Sequence, residues 1–118
     1  MEGNPGGRVD PVAGVDRADA GVVVHLAGDL DLYNAHQVRE ALLAACAESP
    51  QRLVVDLSEV EFVDSTALGV LVEARSRMDD KQAFVLASPV AETMRALEVS
   101  GLDRHFLIRT TIEDALAS

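Results

Sequence analysis

Four short apolar runs, each followed by a stretch of helical periodicity, constrain this chain more than any other feature. The runs are VVVHLA (22–27), LVVDL (53–57), AFVLA (83–87) and HFLI (105–108). Each has the length and apolar character of a strand. LVVDL and AFVLA are almost continuously apolar, as expected of strands covered on both faces. From about Asn34 the pattern becomes helical. Val38, Leu42, Ala45 and Cys46 share one face, His36, Gln37, Glu40 and Glu48 lie mainly on the other, and Pro50 ends the segment. A second helix should open at Ser65 or Thr66, with Leu68, Leu71, Val72, Ala74 and Met78 as its buried stripe and Asp79-Asp80 as its close. Ser88 and Pro89 read as the cap and first residue of a third helix, Val90, Met94 and Leu97 as its inner positions, and Gly101 as its stop. Thr110 or Thr111 can cap a last helix, IEDALA. Strands alternating with helices imply one α/β domain with a largely parallel sheet.

The remaining segments read as connections. Residues 1–10 hold three Gly, one Pro and few apolar side chains, which predicts a disordered tail, with the folded domain over 11–118. Residues 11–19 suit a short edge strand weakened by Pro11 and Gly14. Gly28-Asp29 is a turn signal, and SEVEF (58–62) reads as a link into the second helix.

Composition excludes several functions. Aromatic residues are 3% of 118, so the core must be built from Val, Leu, Ala and a few Phe, and a base-stacking surface is not expected. Ten basic residues stand against 20 acidic ones, a net charge of −10, which repels nucleic-acid phosphates and anionic membranes. The one cysteine, Cys46, can form neither an intrachain disulfide nor a cysteine-based zinc site, and its apolar helix face marks it as a small core residue. The N-terminus lacks an apolar secretory core, and no apolar run approaches the roughly 20 residues of a membrane span. These features place the protein in the cytoplasm.

Val63-Asp64-Ser65-Thr66-Ala67-Leu68-Gly69-Val70-Leu71 is the informative segment. It follows a buried strand and opens a helix, where free backbone N–H groups favour an anion. Ser65 is an N-cap on the simplest chemical reading; the other is a phosphorylation site, adding roughly −1.5 to −2 charges beside Asp64. Gly69 permits either close helix packing or the approach of a partner. Val70 falls on the wheel beside Thr66, Glu73 and Arg77, away from the Leu68/Leu71/Met78 stripe, which suits a docking patch. Asp29 and Asp31 could hold a metal or act as an acid/base pair, but no third ligand stands at the right spacing, and His25 reads as a strand-face residue. No nucleophile elbow, phosphate-cradling loop or HExxH is present, so no catalytic residue, cofactor or metal is expected.

Several of these segments together resemble STAS domains. Gly28-Asp29-Leu30-Asp31 is similar to that family's first turn. Leu53–Leu57, Val60, Phe62 and Val63, followed by Asp64-Ser65-Thr66-Ala67-Leu68-Gly69-Val70-Leu71, resemble its second strand and D-S-[ST]-[GA]-L-G-V-L signature. Ser88-Pro89, Leu97 and Ser100-Gly101-Leu102 resemble its third helix and exit. The likeness covers about residues 12–117, with Ala67 where many members have Gly. It implies an open, mostly parallel sheet of four to five strands with an N-terminal hairpin and about four helices, mostly on one side. It also implies an anti-sigma factor antagonist rather than an enzyme. In that family the unphosphorylated protein binds an anti-sigma factor that is also a serine kinase of the histidine-kinase-like ATPase class, and so releases a sigma factor. Phosphorylation at the position of Ser65 ends the binding, and a metal-dependent serine phosphatase restores it. The resemblance matches Asp31 to the acid that lines the partner-binding surface; together with the reading of the residues above, that surface is expected to hold Asp29, Asp31, Asp64, Ser65, Thr66, Gly69 and Val70, with Thr66 a second candidate acceptor. The alternative is a STAS scaffold or regulatory subunit in a stress-sensing or lipid-transport complex.

Overall fold

The computed structural model describes residues 10–118, so the tail expected over residues 1–10 lies, apart from Asp10, outside them. Five strands form one sheet in sequence order: β1 (Val12–Ala18), β2 (Gly21–Leu30), β3 (Leu53–Val63), β4 (Phe84–Ala87) and β5 (Leu107–Arg109). β1 pairs with β2 antiparallel as the expected N-terminal hairpin, and the other three pairs are parallel. Helices α1 (Ala35–Ala47), α2 (Ser65–Ser76), α3 (Ala91–Val99) and α4 (Ile112–Ala117) follow β2, β3, β4 and β5 in turn.

Alternation along the strands separates two apolar layers. Val22, Val24, Leu26, Leu53, Val55, Leu57, Phe84 and Leu86 face the main core with residues of α1, α2 and α3. Val23, Val54, Val85 and Ala87 face the other way, where Ala115 of α4 meets them. Three helices thus cover one face and the short α4 the other, and the central strands are buried on both sides as their continuous apolar runs predicted.

Four boundaries differ from the sequence reading. The turn expected at Gly28-Asp29 does not form. Gly28 adopts φ 77°, and a register shift there lets β2 continue to pair with β3 as far as Leu30–Val63. A left-handed residue inside a strand is tolerated because glycine has no Cβ to clash. The link expected at residues 58–62 is the outer half of β3, in which Ser58, Glu59, Glu61 and Phe62 are exposed while Val60 and Val63 stay buried. Ser88 is not a helix cap: at φ 57° its amide donates to the Arg109 carbonyl, and α3 begins two residues after Pro89, with Val90 at its cap position. The last strand starts at Leu107 rather than His105, because residues 102–104 form a 3-10 turn after Gly101. Gly101, at φ 78°, ends α3 as expected.

Candidate functional site: the edge around Ser65

β2 and β3 run parallel, so their C-terminal ends emerge side by side, and both following loops meet there. Asp64 joins them. Its backbone is extended, one carboxylate oxygen accepts from the Ala67 amide at 2.9 Å, and the other accepts from the Leu32 amide at 3.0 Å. Asp64 is therefore the cap of α2, and Ser65 is its first helical residue. The cap reading of Ser65 is thus replaced, because the longer Asp side chain one position earlier can reach both loops. Ser65 and Thr66 are exposed, and their amides stand where a helix has no intrahelical acceptors to offer.

The loop from Asp31 to Asn34 is braced from within. Buried Asn34 accepts from the Asp31 amide at 2.9 Å and donates to the Asp29 carbonyl at 2.8 Å. The Asp31 carboxylate accepts from the Tyr33 amide at 3.0 Å. Asp29 and Asp31 are thus held at the same end as Ser65, Asp29 exposed and Asp31 half-buried. Sequence reasoning did not single out Asn34.

Gly69 lies one turn after Ser65 on the exposed side of α2, and a Cβ there would meet no atom within 4 Å. Close helix packing therefore does not explain the glycine. Val70 requires a correction. It is 8% exposed and belongs to the main core, not to an accessible docking patch. Its neighbour on the helical wheel, Glu73, is bound by Arg39 of α1 through two hydrogen bonds of 2.8 and 2.7 Å. The side of α2 read as solvent-facing is the side that flanks α1. Cys46 is buried, and its thiol lies 3.4 Å from the Ala74 carbonyl. Burial pushes its pKa up, consistent with a packing role.

Three large apolar side chains are exposed at this edge: Leu32 at 65%, Tyr33 at 77% and Phe62 at 52%. Phe62 pairs in register with Asp29, and Leu32 hangs from the Asp64 carboxylate by its amide. Leu32 and Tyr33 were not singled out from sequence, nor was Phe62 as an exposed residue. A usable signal existed in the charge pattern. Residues 26–38 and 53–74 contain no Lys or Arg, so apolar side chains beside Asp29, Asp31, Glu61 and Asp64 have no cation near them in sequence.

His25 lies in mid-sheet, away from this edge in sequence. Its imidazole bridges Asp56 at 2.6 Å and Asp16 at 2.9 Å across three adjacent strands. The Asp56 hydrogen bond does most to raise the His25 pKa, and burial opposes it. Burial pushes Asp56 upward, but the Ser58 amide and His25 outweigh it and leave the carboxyl below its usual value. Among the described residues no cluster of three or more His, Cys, Asp or Glu could hold a metal ion, and no helix is long and apolar enough to cross a membrane.

Comparison with known proteins agrees with this geometry. The model of the STAS domain matches residues 12–115. The anti-sigma-F factor antagonist RsfB of Mycobacterium tuberculosis is 33% identical over 94 residues, covering 80% of this chain and 77% of that protein. The anti-sigma-B factor antagonist of Listeria monocytogenes is 34% identical over 80 residues, 67% of this chain and 70% of its own. The crystal structure of an anti-sigma factor antagonist from Mycobacterium paratuberculosis superposes with a TM-score of 0.81 at 33% identity, covering 87% of this chain and 88% of the other. With its five-stranded sheet, its capped helix after β3 and a family match over nearly all described residues, the chain belongs to the STAS-domain family.

Proposed function

We propose that this protein is an anti-sigma factor antagonist whose edge around Ser65 docks on an anti-sigma factor when Ser65 is unphosphorylated. The anti-sigma factor would be a serine kinase of the histidine-kinase-like ATPase class. Docking frees a sigma factor, phosphorylation of Ser65 ends the contact, and a metal-dependent phosphatase resets it. The protein acts by binding and catalyses nothing. The names of the relatives support the first part. The carrying observation for the switch is that Ser65 is exposed at the first position of a capped helix, beside exposed Leu32, Tyr33 and Phe62.

The two halves of this edge have different tasks. The apolar side chains supply burial on association, and aromatic anchors commonly dominate such contacts. The acids Asp29, Asp31 and Asp64 select a partner carrying basic groups. Exposed Thr66 and Gly69 extend the same surface along α2, with Gly69 leaving room for close approach. A phosphoryl group at Ser65 is tolerated by the fold, because the start of α2 favours negative charge. In the complex it meets a desolvated surface already rich in carboxylates, and the contact weakens.

The test uses the cognate kinase with ATP, followed by peptide mapping and affinity measurement. One phosphate should appear, on Ser65. Ser65→Ala should stay bound in the presence of ATP. Ser65→Asp, with one charge, should bind on the order of tenfold more weakly. Phosphate on Ser76, Ser88 or Ser100 with none on Ser65 would falsify the assignment. So would equal affinities of folded wild type, Ser65→Ala and Ser65→Asp.

A further inference from the structure

Beyond the end of α2 opposite Ser65, one side carries exposed Asp79 and Asp80 and the other gathers cations. A surface cleft of about 140 Å³ lies there between three elements. Arg75 enters it from the last turn of α2, Lys81 and Gln82 from a 3-10 turn before β4, and Arg104 and His105 from the segment before β5. No acid lines it, in a chain with twice as many acids as bases.

Three of the protein's other arginines are held in ion pairs. Arg17 is paired with Glu48 at 2.6 Å, and Arg39 and Arg77 with Glu73 at 2.7 and 3.2 Å. Arg75 and Arg104 have no carboxylate within 4 Å among the described residues. Asp80 is next to Lys81 in sequence, but its side chain accepts from the Gln82 amide at 2.9 Å. Lys81 is held in place by donating to the carbonyl of Met78, two residues beyond α2, at 2.9 Å. The His105 ring stands edge-on to Phe106, with centroids 5.1 Å apart at 83°. Basic side chains therefore gather around a small space whose lining holds no carboxylate.

We propose that this cleft binds a phosphoryl group, as inorganic phosphate or the end of a small phosphate monoester. Two guanidinium forks and an ammonium match the several acceptor oxygens of such a group. The volume falls below the roughly 300 Å³ at which pockets enclose drug-sized ligands, so the phosphoryl group fits and a whole nucleotide does not. The net charge of −10 disfavours a polyanion, which would feel the whole protein, more than it disfavours a small anion close to the cations. The site is independent of Ser65.

The experiment is a titration of the labelled protein followed by amide NMR, at constant ionic strength, with sodium phosphate in one arm and glycerol 3-phosphate in the other. Saturable shifts confined to the neighbourhood of Arg75, Lys81, Gln82, Arg104 and His105 are expected, with Kd below about 5 mM. Arg75→Gln and Arg104→Gln, each confirmed folded by circular dichroism, should weaken binding at least about fivefold; either variant alone decides if the other fails to fold. Tighter binding of the ester identifies a phosphorylated metabolite, and equal binding identifies free phosphate. Linear shifts without saturation up to about 20 mM in both arms, or unchanged affinity in a folded variant, would overturn the proposal.

Discussion

The two ends of α2 differ in almost every property that governs recognition. At the N-terminal end are Ser65, the carboxylates of Asp29, Asp31 and Asp64, and three exposed apolar side chains; no lysine or arginine occurs in residues 26–38 or 53–74. At the C-terminal end are Arg75, Lys81, Arg104 and His105 around a small cleft with little exposed apolar surface. The acidic, apolar edge is broad and suits a macromolecular surface. The basic cleft is small and suits a small anion. The lesson is that a net charge of −10 describes neither end. Cations are absent from the edge at the start of α2 and gather in the cleft beyond its end, although exposed Asp79 and Asp80 lie close by in sequence, and that difference separates two kinds of ligand.

The largest expected effect tests whether the partner reads only the acidic end. Leu32→Ala and Phe62→Ala should each weaken partner binding by about 1.5–2 kcal/mol, on the order of tenfold to thirtyfold. Their folding stability should stay within about 0.5 kcal/mol of wild type, since both side chains are more than half exposed. Arg75→Gln and Arg104→Gln should leave that affinity within about twofold. Calorimetry on all four variants decides, and comparable losses from both sets would erase the distinction between the ends.

Asp64 sharpens the comparison by separating geometry from charge. Asp64→Ala removes the cap of α2 and the anchor of the Leu32 amide, and should cost about 1–2 kcal/mol of stability. Asn is as good a cap as Asp, so Asp64→Asn should keep most of the stability while losing one charge from the edge. Denaturant midpoints for the pair would contradict this account if Asn and Ala were equally destabilising.

A smaller effect of opposite sign is expected at Gly69. The glycine is exposed in mid-helix with open space around it, so Gly69→Ala should stabilise the free protein by about 0.5–1 kcal/mol. If the partner packs closely over α2, the same variant binds it less well. A gain in both stability and affinity would move the contact away from this helix.

The smallest effect belongs to neither end. His25 sits between Asp56 of β3 and Asp16 of β1, and its pKa is raised above 6.5. The folded protein therefore holds this proton more tightly than the unfolded chain. Its contribution is fully present below about pH 6.5 and fades as pH rises through the higher folded value. Asp56 acts in the opposite sense, its contribution being lost as pH falls through its lowered folded value. Wild type should lose less than about 1 kcal/mol from pH 6 to pH 9, and His25→Gln should show no such decline. An identical slope in both proteins, read from urea midpoints, would remove His25 from the account.

Much of this was legible in the sequence for physical reasons. A strand buried on both faces writes a continuous apolar run, so β3 and β4 were visible, and a capped helix after a buried strand placed the start of α2 within a residue. What was hidden depends on neighbours that the chain meets only on folding. Gly28-Asp29 reads as a turn because glycine tolerates φ 77°, but pairing with β3 keeps the strand going. Ser88-Pro89 reads as a helix start, yet the Ser88 amide is taken by the Arg109 carbonyl of β5. Val70 looks exposed on a wheel that considers only the sheet, and α1 covers that side. Leu32, Tyr33 and Phe62 were passed over because apolar side chains are expected inside, and only the folded edge leaves them outside.

Partner recognition rests on one surface, the edge that joins residues 29–34 to residues 61–69. Hydrogen exchange of the unphosphorylated protein, alone and saturated with its cognate anti-sigma factor, measures that surface directly. The account predicts slowed exchange in residues 29–36 and at the start of α2 from Ser65 to Gly69, with residues 75–82 and 102–107 unchanged. Protection confined to the cleft of Arg75 and Arg104, with Leu32, Tyr33 and the Ser65 turn exchanging as in the free protein, would contradict it.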